Sequence, residues 1–340
     1  MAPQQPNELT AIEALSRIRA GSLTSQELVA ACLQRIEQRE DTVGAWKFLS
    51  PGQALDAARN ADNDPSDRPL RGIPVAVKDI FDTVDMPTTY GSPIYEGYRP
   101  PSDASCVARM RDAGGLVLGK TVSTEFAYFE PGKTANPHNP AHTPGGSSSG
   151  SAAAVADFMV PLALGSQTVG SILRPASYCG VVGYKPSFGL IDRTGVRPLA
   201  DTFDNVGVFS RSVADAAYLV SILSRRPALC LDGELETPPG IGLCRTHEWP
   251  AADEDVATAL ETAARLAADA GGQVREITLP EPFSRLAEAQ GIVVDFEVAN
   301  SAAYELAFHH DKVSRSFTAR AEAGLAYTIE QYDDALSVIA

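Results

Sequence analysis

Several marks of special protein classes are absent from this 340-residue sequence. Basic residues are few, because 28 Lys and Arg stand against 43 Asp and Glu, a net charge of −15. An acidic surface repels nucleic-acid phosphates and anionic lipid head groups, so neither nucleic acid nor a membrane is an expected partner. No apolar run reaches the roughly 20 residues of a membrane-spanning helix, and residues 1–7 lack the basic and apolar regions of a secretion signal. We expect a soluble, cytoplasmic protein.

Cysteine and histidine are also scarce, with five of each. The cysteines are odd in number and form no C-x-x-C pair, which argues against a disulfide framework or a zinc site. The histidines form no H-E-x-x-H motif. We therefore expect no metal and no cofactor.

The pattern of apolar residues predicts an α/β fold in one domain spanning residues 1–340. Residues 1–60 read as helices, with a capping box from Thr24 to Glu27 opening the second of them, and the polar residues 60–67 read as a surface loop. Between residues 70 and 220, short apolar runs alternate with helical stretches, which is typical of a sheet covered by helices. Residues 221–340 read as a peripheral and mostly helical part, in which residues 253–270 are predicted to form an amphipathic helix and residues 274–279 a strand.

Lys78 directly follows the apolar strand predicted at residues 73–77. Most lysines are solvated surface charges, and composition alone would favour the same interpretation for Lys78. A lysine that ends a buried strand differs, because desolvation disfavours the ammonium and lowers its pKa. The neutral amine would then be available as a base.

Two loops rich in glycine and serine follow Lys78. Residues 144–151 read PGGSSSGS and lead straight into a small-residue helix, so they are either a flexible linker or a tight turn that fixes a serine. Residues 165–175 read GSQTVGSILRP and follow a predicted strand. Successive N–H groups in such a turn can bind an anion and would form an oxyanion hole beside a nucleophile, although a simple helix cap has the same pattern. With no histidine in a triad context, a lysine and a second serine can supply the proton path.

The order and spacing of these motifs resemble the amidase signature family of serine hydrolases. The spacing is 69 residues from Lys78 to Ser147 and 24 from Ser147 to Ser171. The likeness is strong from about residue 9 to about residue 220 and looser beyond. Shorter matching pieces lie at residues 119–121, 125–127, 134–137, 180–189, 204–207 and 211–215.

The resemblance implies a Ser–Ser–Lys triad. Ser171 would be the nucleophile, Ser147 the bridging serine entered through a cis peptide bond, and Lys78 the base. The backbone N–H groups of Thr168, Val169, Gly170 and Ser171 would line the oxyanion hole. The implied fold is a mixed central β-sheet covered on both faces by α-helices, here without the usual C-terminal part of longer relatives.

Some positions depart from the common pattern of the family. Gln167 replaces the aspartate common in glutamine-dependent tRNA amidotransferase subunits, and Arg174 lies three places after Ser171 rather than two. Both features point away from that branch. The run SILRPASYCG at residues 171–180 looks closer to the malonamidase-like amidases, in which an arginine at this offset can hold a substrate carboxylate. A structural ion pair of Arg174 is an equal alternative. Tyr128 and Phe129 are candidates for lining the acyl pocket.

The predicted function is an amidase that hydrolyses the C–N bond of a small linear carboxamide through an acyl-enzyme. Ester, aryl-acylamide or carbamate hydrolysis by the same mechanism is one alternative. An amidotransferase-type subunit is another, and a catalytically silent, shortened member of the family is a third. Homodimerisation is compatible with each of them.

Overall fold

The computed structural model of the chain describes residues 4–231, 233 and 237–340. The sequence predicts no secretion signal at residues 1–7. Residues 1–3 of this segment lie outside the described residues. The chain divides into two compact units. The first comprises Met1–Leu231 with Glu297–Gly324, and the second comprises Asp232–Phe296 with Leu325–Ala340. The single domain over residues 1–340 stays a prediction.

Residues 4–63 of the first unit contain three α-helices and one strand. They are α1 (Ala11–Arg19), α2 (Ser25–Val43), β1 (Trp46–Leu49) and α3 (Pro51–Asn63). The capping box at the start of α2 is confirmed, because the Thr24 side chain accepts from Glu27 N and the Glu27 carboxylate accepts from Thr24 N. The prediction that residues 1–60 are helical throughout was wrong at β1. The loop expected at residues 60–67 begins only after Asn63. Gly44, with a φ of 61°, ends α2 and turns the chain into β1.

A six-stranded mixed sheet forms the centre of the first unit, which confirms the predicted fold class. Its order is β1-β3-β2-β4-β6-β5. The three central strands β3, β2 and β4 run parallel, whereas β1, β5 and β6 pair antiparallel to their neighbours. The strands not yet given bounds are β2 (Pro74–Lys78), β3 (Leu116–Thr121), β4 (Leu162–Gln167), β5 (Val182–Tyr184) and β6 (Asn205–Ser210).

Helices flank this sheet, and its strands β2 and β4 are buried throughout. The small residues of α5 allow a close approach to the sheet. A Cβ added at Gly150 would lie 2.3 Å from the carbonyl oxygen of Ala45. The helices are α4 (Ser105–Asp112), α5 (Ser149–Ala156), α6 (Leu173–Cys179) and α7 (Val213–Ser224).

Among the described residues after α7, the chain adds a two-stranded parallel sheet and five α-helices. The helix and strand predicted at residues 253–270 and 274–279 are confirmed as α8 and β8. None of the helices in residues 4–231 and 237–340 has the length and apolar character needed to cross a bilayer. The elements are β7 (Gly240–Cys244), α8 (Glu254–Asp269), β8 (Gln273–Ile277), α9 (Leu286–Ser301), α10 (Ala303–Phe308), α11 (Arg315–Leu325) and α12 (Ile329–Ile339).

Candidate active site

Lys78 lies at the carboxyl end of β2 with its side chain fully buried. Its Nζ lies 2.7 Å from Ser147 Oγ and 2.9 Å from Ser166 Oγ. Ser166 comes from β4, which runs parallel to β2, so the carboxyl ends of the two strands meet at one edge of the sheet. Burial lowers the pKa of Lys78 to about 7, because desolvation disfavours the charged ammonium. The side chain can therefore exchange a proton near neutral pH.

Ser147 belongs to the turn that precedes α5, and its side chain is completely buried. The Gly146–Ser147 peptide bond is cis, as the family resemblance implies. The N–H of Thr124 donates to the carbonyl oxygen of Ser147 at 3.2 Å. The main chain on both sides of this hydroxyl is thus held in place, and the hydroxyl is directed at Lys78.

Ser171 lies in the short connection between β4 and α6, and 8% of its surface is exposed. The N–H of Ser148 donates to the carbonyl oxygen of Ser171 at 3.3 Å, which ties the two serine-containing turns together. The structure therefore joins Lys78 and Ser147 by a direct side-chain contact. It places Ser171 beside them through a main-chain contact.

The side chain of Gln167 holds the turn that carries Ser171. Its Nε2 donates to the carbonyl oxygen of Val169 at 2.9 Å, and its Oε1 accepts from the N–H groups of Ile172 and Leu173 at 2.8 and 3.0 Å. Within the part of the chain that the structure describes, the N–H groups of Val169, Gly170 and Ser171 have no hydrogen-bond acceptor. These donors are available to an oxyanion, and the fourth predicted donor, that of Thr168, begins the same turn.

We expect Gln167→Ala to lower kcat by about tenfold to a hundredfold, because small displacements of positioned groups have costs of that size. KM should change less, since the turn would bind the oxyanion of the transition state more than the ground-state carbonyl. Steady-state kinetics on a hydrolysed amide or ester measures both. Gln34→Ala, on the exposed face of α2, is the control. An unchanged kcat in Gln167→Ala would show that the amide does not hold the turn.

Arg174 and Phe129 contact each other next to the cis peptide bond. Arg174 donates from Nε and Nη2 to the carbonyl oxygen of Gly146 at 3.1 and 2.8 Å. Its guanidinium lies 5.2 Å from the centre of the Phe129 ring, and the Tyr128 ring contacts Phe129 edge-on at 4.9 Å. No carboxylate among the described residues pairs with Arg174, so the structural contact is to a carbonyl rather than the ion pair considered as the alternative.

Two polar residues of the site did not emerge from motif reasoning as functional. Ser166 contacts Lys78, and Asp204 accepts a hydrogen bond from Thr168 Oγ1 at 2.6 Å. Ser166 could have been found as a hydroxyl at the end of the strand that precedes the Ser171 turn. Asp204 could have been found only with the pairing of β6 to β4, because it directly precedes β6.

Comparison with known proteins identifies the class to which this fold and site belong. The family model described as Amidase matches residues 27–331. The chain therefore belongs to the amidase family, and the resemblance to the amidase signature proteins is confirmed. The expectation of closeness to the malonamidase-like branch stays a prediction.

Individual relatives include both amidases and components of amidotransferases. The chain is 39% identical over 295 residues to a glutamyl-tRNA(Gln) amidotransferase subunit of Acidothermus cellulolyticus, and the match covers 80% of this chain and 58% of that protein. A solved amidase superposes with a TM-score of 0.88 at 31% identity, covering 97% of this chain and 77% of the other. Peptide amidase from Stenotrophomonas maltophilia gives 0.79 at 31% identity, covering 97% and 78%.

The similarity to the tRNA amidotransferases bears on one prediction from the sequence. Gln167 and Arg174 favoured a different branch, yet the chain shares 39% identity with a member of the amidotransferase branch. Single positions beside Ser171 therefore do not exclude that branch. The chain spans about three fifths of the length of the curated relatives it matches.

Proposed function

We propose that this protein is an amidase that hydrolyses the C–N bond of a small linear carboxamide. The observation that carries the proposal is the 2.7 Å contact between Lys78 Nζ and Ser147 Oγ in a fully buried position. A lysine in that setting serves as a base, and the adjacent Ser171 turn offers a hydroxyl beside unpaired N–H donors. The similarity to a peptide amidase at 31% identity supports the same class of substrate.

The proposed reaction begins with proton transfer along the three side chains. Neutral Lys78 takes the proton of Ser147 as Ser147 takes that of Ser171, and Ser171 Oγ attacks the substrate carbonyl carbon. The N–H groups of residues 168–171 stabilise the resulting oxyanion. Ser147 then protonates the departing amine and regains its proton from Lys78. Water attacks the acyl-enzyme by the same route and releases the acid.

The proposed mechanism has a defined pH dependence. Lys78 acts as a base only when its amine is neutral, and its pKa of about 7 places that form above neutral pH. The rate should therefore rise as pH increases through about 7. The buried position explains why a lysine, whose ordinary pKa is 10.5, can serve at this pH.

The leaving group distinguishes amide hydrolysis from its chemical alternatives. Esters, aryl-acylamides and carbamates can form the same acyl-enzyme with Ser171. A series of amides and esters that share one acyl group separates them. If deacylation limits turnover, kcat is independent of the leaving group, whereas a rate that follows the leaving group shows that acylation limits it. Failure to hydrolyse any member of the series would overturn the proposed activity.

A second candidate function is that of an amidotransferase-type subunit, and the 39% identity to the glutamyl-tRNA(Gln) amidotransferase component of Acidothermus cellulolyticus favours it. In that case the amide would be glutamine, and the released ammonia would pass to a partner protein in the cytoplasm. Copurification of a partner and glutamine hydrolysis that depends on it would support this function. Hydrolysis of simple amides by the purified chain alone would favour the first.

Arg174 is the proposed anchor for a carboxylate-bearing substrate. We expect Arg174→Ala to raise KM for such substrates by about tenfold or more, since a charge-assisted hydrogen bond has that effect. For neutral amides, kcat/KM should fall only to the extent that loss of the Arg174 contact with Gly146 disturbs the turn. Steady-state kinetics on a matched pair of acyl groups, with and without a carboxylate, makes the comparison. An equal loss for both would assign Arg174 to holding the cis-peptide turn alone.

A further inference from the structure

Asp204 is a buried carboxylate behind the turn that carries Ser171, and 9% of its surface is exposed. It directly precedes β6, and the antiparallel register pairs Asn205 with Gln167 at the end of β4. This pairing places Asp204 beside Thr168, the first residue after β4. No step of the proposed proton transfer uses it.

Three neutral donors fix the carboxylate of Asp204. Its Oδ1 accepts from Thr168 Oγ1 at 2.6 Å, and its Oδ2 accepts from the N–H groups of Leu199 and Ala200 at 2.8 and 3.1 Å. Burial raises the pKa of Asp204, and these hydrogen bonds oppose that rise because they favour the ionised form. Arg193 Nη1 lies 4.0 Å from Oδ2, at the limit of ion-pair distance, so its positive charge acts on Asp204 without a direct hydrogen bond.

Asp204 and Ser166 line the same small cavity. Thr168, Arg193 and Arg197 line it as well. Ser166 is the residue whose hydroxyl lies 2.9 Å from Lys78 Nζ. Asp204 and the Ser166 contact of Lys78 thus face one cavity, and both charged side chains are buried, where charges act on each other more strongly than in water.

We propose that Asp204 is a positioning residue with two effects on the proposed reaction. Its carboxylate holds Thr168, and with it the oxyanion turn, and it stabilises the ammonium that Lys78 becomes when it takes a proton from Ser147. The proposal rests on the proposed function. The physical logic is that of serine hydrolases in which a buried carboxylate stabilises the cation formed on the base.

The charges around Lys78 agree with this assignment. Burial lowers the pKa of Lys78, and the negative charge of Asp204 opposes that shift. Asp79, the next residue in the chain, is paired with Lys120 at 3.4 Å. The two arginines of the cavity have carboxylate partners of their own, since Arg197 pairs with Glu305 at 2.9 Å and Arg193 with Asp201 at 3.2 Å. Among these groups, Asp204 is therefore the negative charge that acts on the base.

Asp204→Asn tests the proposal through the pH profile of kcat/KM. Without the carboxylate, the pKa of Lys78 falls, so the rise in rate should move to lower pH by about half a unit or more. The plateau rate should fall about tenfold or more, because the ammonium formed in the transition state loses its stabilisation. Asp41→Asn, at an exposed aspartate of α2, should leave both unchanged.

Thr168→Val separates the two effects of Asp204. It removes the hydroxyl link to the turn but retains the carboxylate, so the plateau rate should fall without movement of the pH profile. A profile that moves equally in Thr168→Val would show that displacement of the turn causes the change, which overturns the electrostatic part. If Asp204→Asn does not fold, as judged by circular dichroism, Asp204→Ser carries the same test with a smaller side chain.

Titration of Lys78 itself gives a readout that does not depend on activity. The ¹³Cε signal of labelled Lys78, assigned by its loss in Lys78→Met, reports protonation directly in the wild type and in Asp204→Asn. A downward movement of the midpoint supports the proposal even if no amide is hydrolysed, in which case the proposed function alone fails. An unchanged midpoint in a folded variant overturns the electrostatic role of Asp204.

Discussion

Replacing Ser171 by alanine should reduce hydrolysis of any amide or ester turned over by the wild type by about a hundred-thousand-fold or more. The reason is that Ser171 Oγ would form the bond to the acyl group, and no water positioned in its place would be activated to the same degree. The change removes one hydroxyl from a residue that is 8% exposed, so the fold should be retained. Comparison of kcat/KM and the melting temperature of the two proteins measures both expectations.

Ser177→Ala, an exposed serine of α6, provides the matched control and should behave as the wild type. Retention of more than about a hundredth of the activity in Ser171→Ala would assign the nucleophile to another group, since removal of a true nucleophile leaves far less. Ser147 and Ser148 in the neighbouring turn would then be the first candidates. A comparable loss in Ser177→Ala would indicate instead that the region around α6 had been disturbed.

Lys78→Met is expected to lower kcat/KM by several orders of magnitude. Methionine fills a similar volume, so the buried position stays packed while the base is removed. The wild-type rate should increase as pH rises through about 7, where Lys78 loses its proton. In the variant, the levelling of the rate above a pH of about 7 should be absent, because the residual rate should follow hydroxide concentration at all pH values. A pH series of kcat/KM for the two proteins makes the measurement.

Stability offers a check on the same variant. The pKa of Lys78 is about 7 in the fold and returns to its ordinary 10.5 in the unfolded chain, which therefore binds the proton more readily. The wild type should lose stability as pH falls from 10.5 towards 7, and Lys78→Met should lose less over that range. Lys133→Met, at an exposed lysine, is the control for removing a positive charge.

Near-normal rates of hydrolysis in Lys78→Met would remove Lys78 from the mechanism.

Much of the site is readable from the sequence because its parts lie at the ends of recognisable elements. An apolar strand precedes Lys78, and glycine-rich turns lie before α5 and after β4. These patterns predict where the chain turns and where side chains are held in place. The structure brings Lys78 and Ser147 within 2.7 Å although 69 residues separate them. Their order and spacing had indicated a common site only through the family resemblance.

Other parts depend on pairings that a sequence pattern does not specify. β1 is four residues long and β5 is three, too short for an alternating pattern to separate them from loops. The contact of Lys78 with Ser166 requires β4 to lie next to β2, and the contact of Asp204 with Thr168 requires β6 to lie next to β4.

The sequence correctly marks Gln167 as a departure from the common family pattern. The physical role of this glutamine is evident only from the fold. In the sequence it distinguishes this chain from the common pattern of one branch of the family. In the structure its amide accepts hydrogen bonds from two N–H groups at the start of α6 and donates to Val169. A glutamine can do both because its side chain carries an acceptor and a donor.

Labelling of the purified 340-residue chain with a fluorophosphonate tests the central claim most directly, because the reagent reacts with an activated serine whatever the natural substrate. Intact mass and peptide mapping should show one adduct, located on Ser171, that forms faster as pH rises through about 7 and is absent in Ser171→Ala. The absence of an adduct in a chain shown to be folded, or an adduct on a different serine, would contradict the assignment of Ser171, Ser147 and Lys78 as the reacting groups.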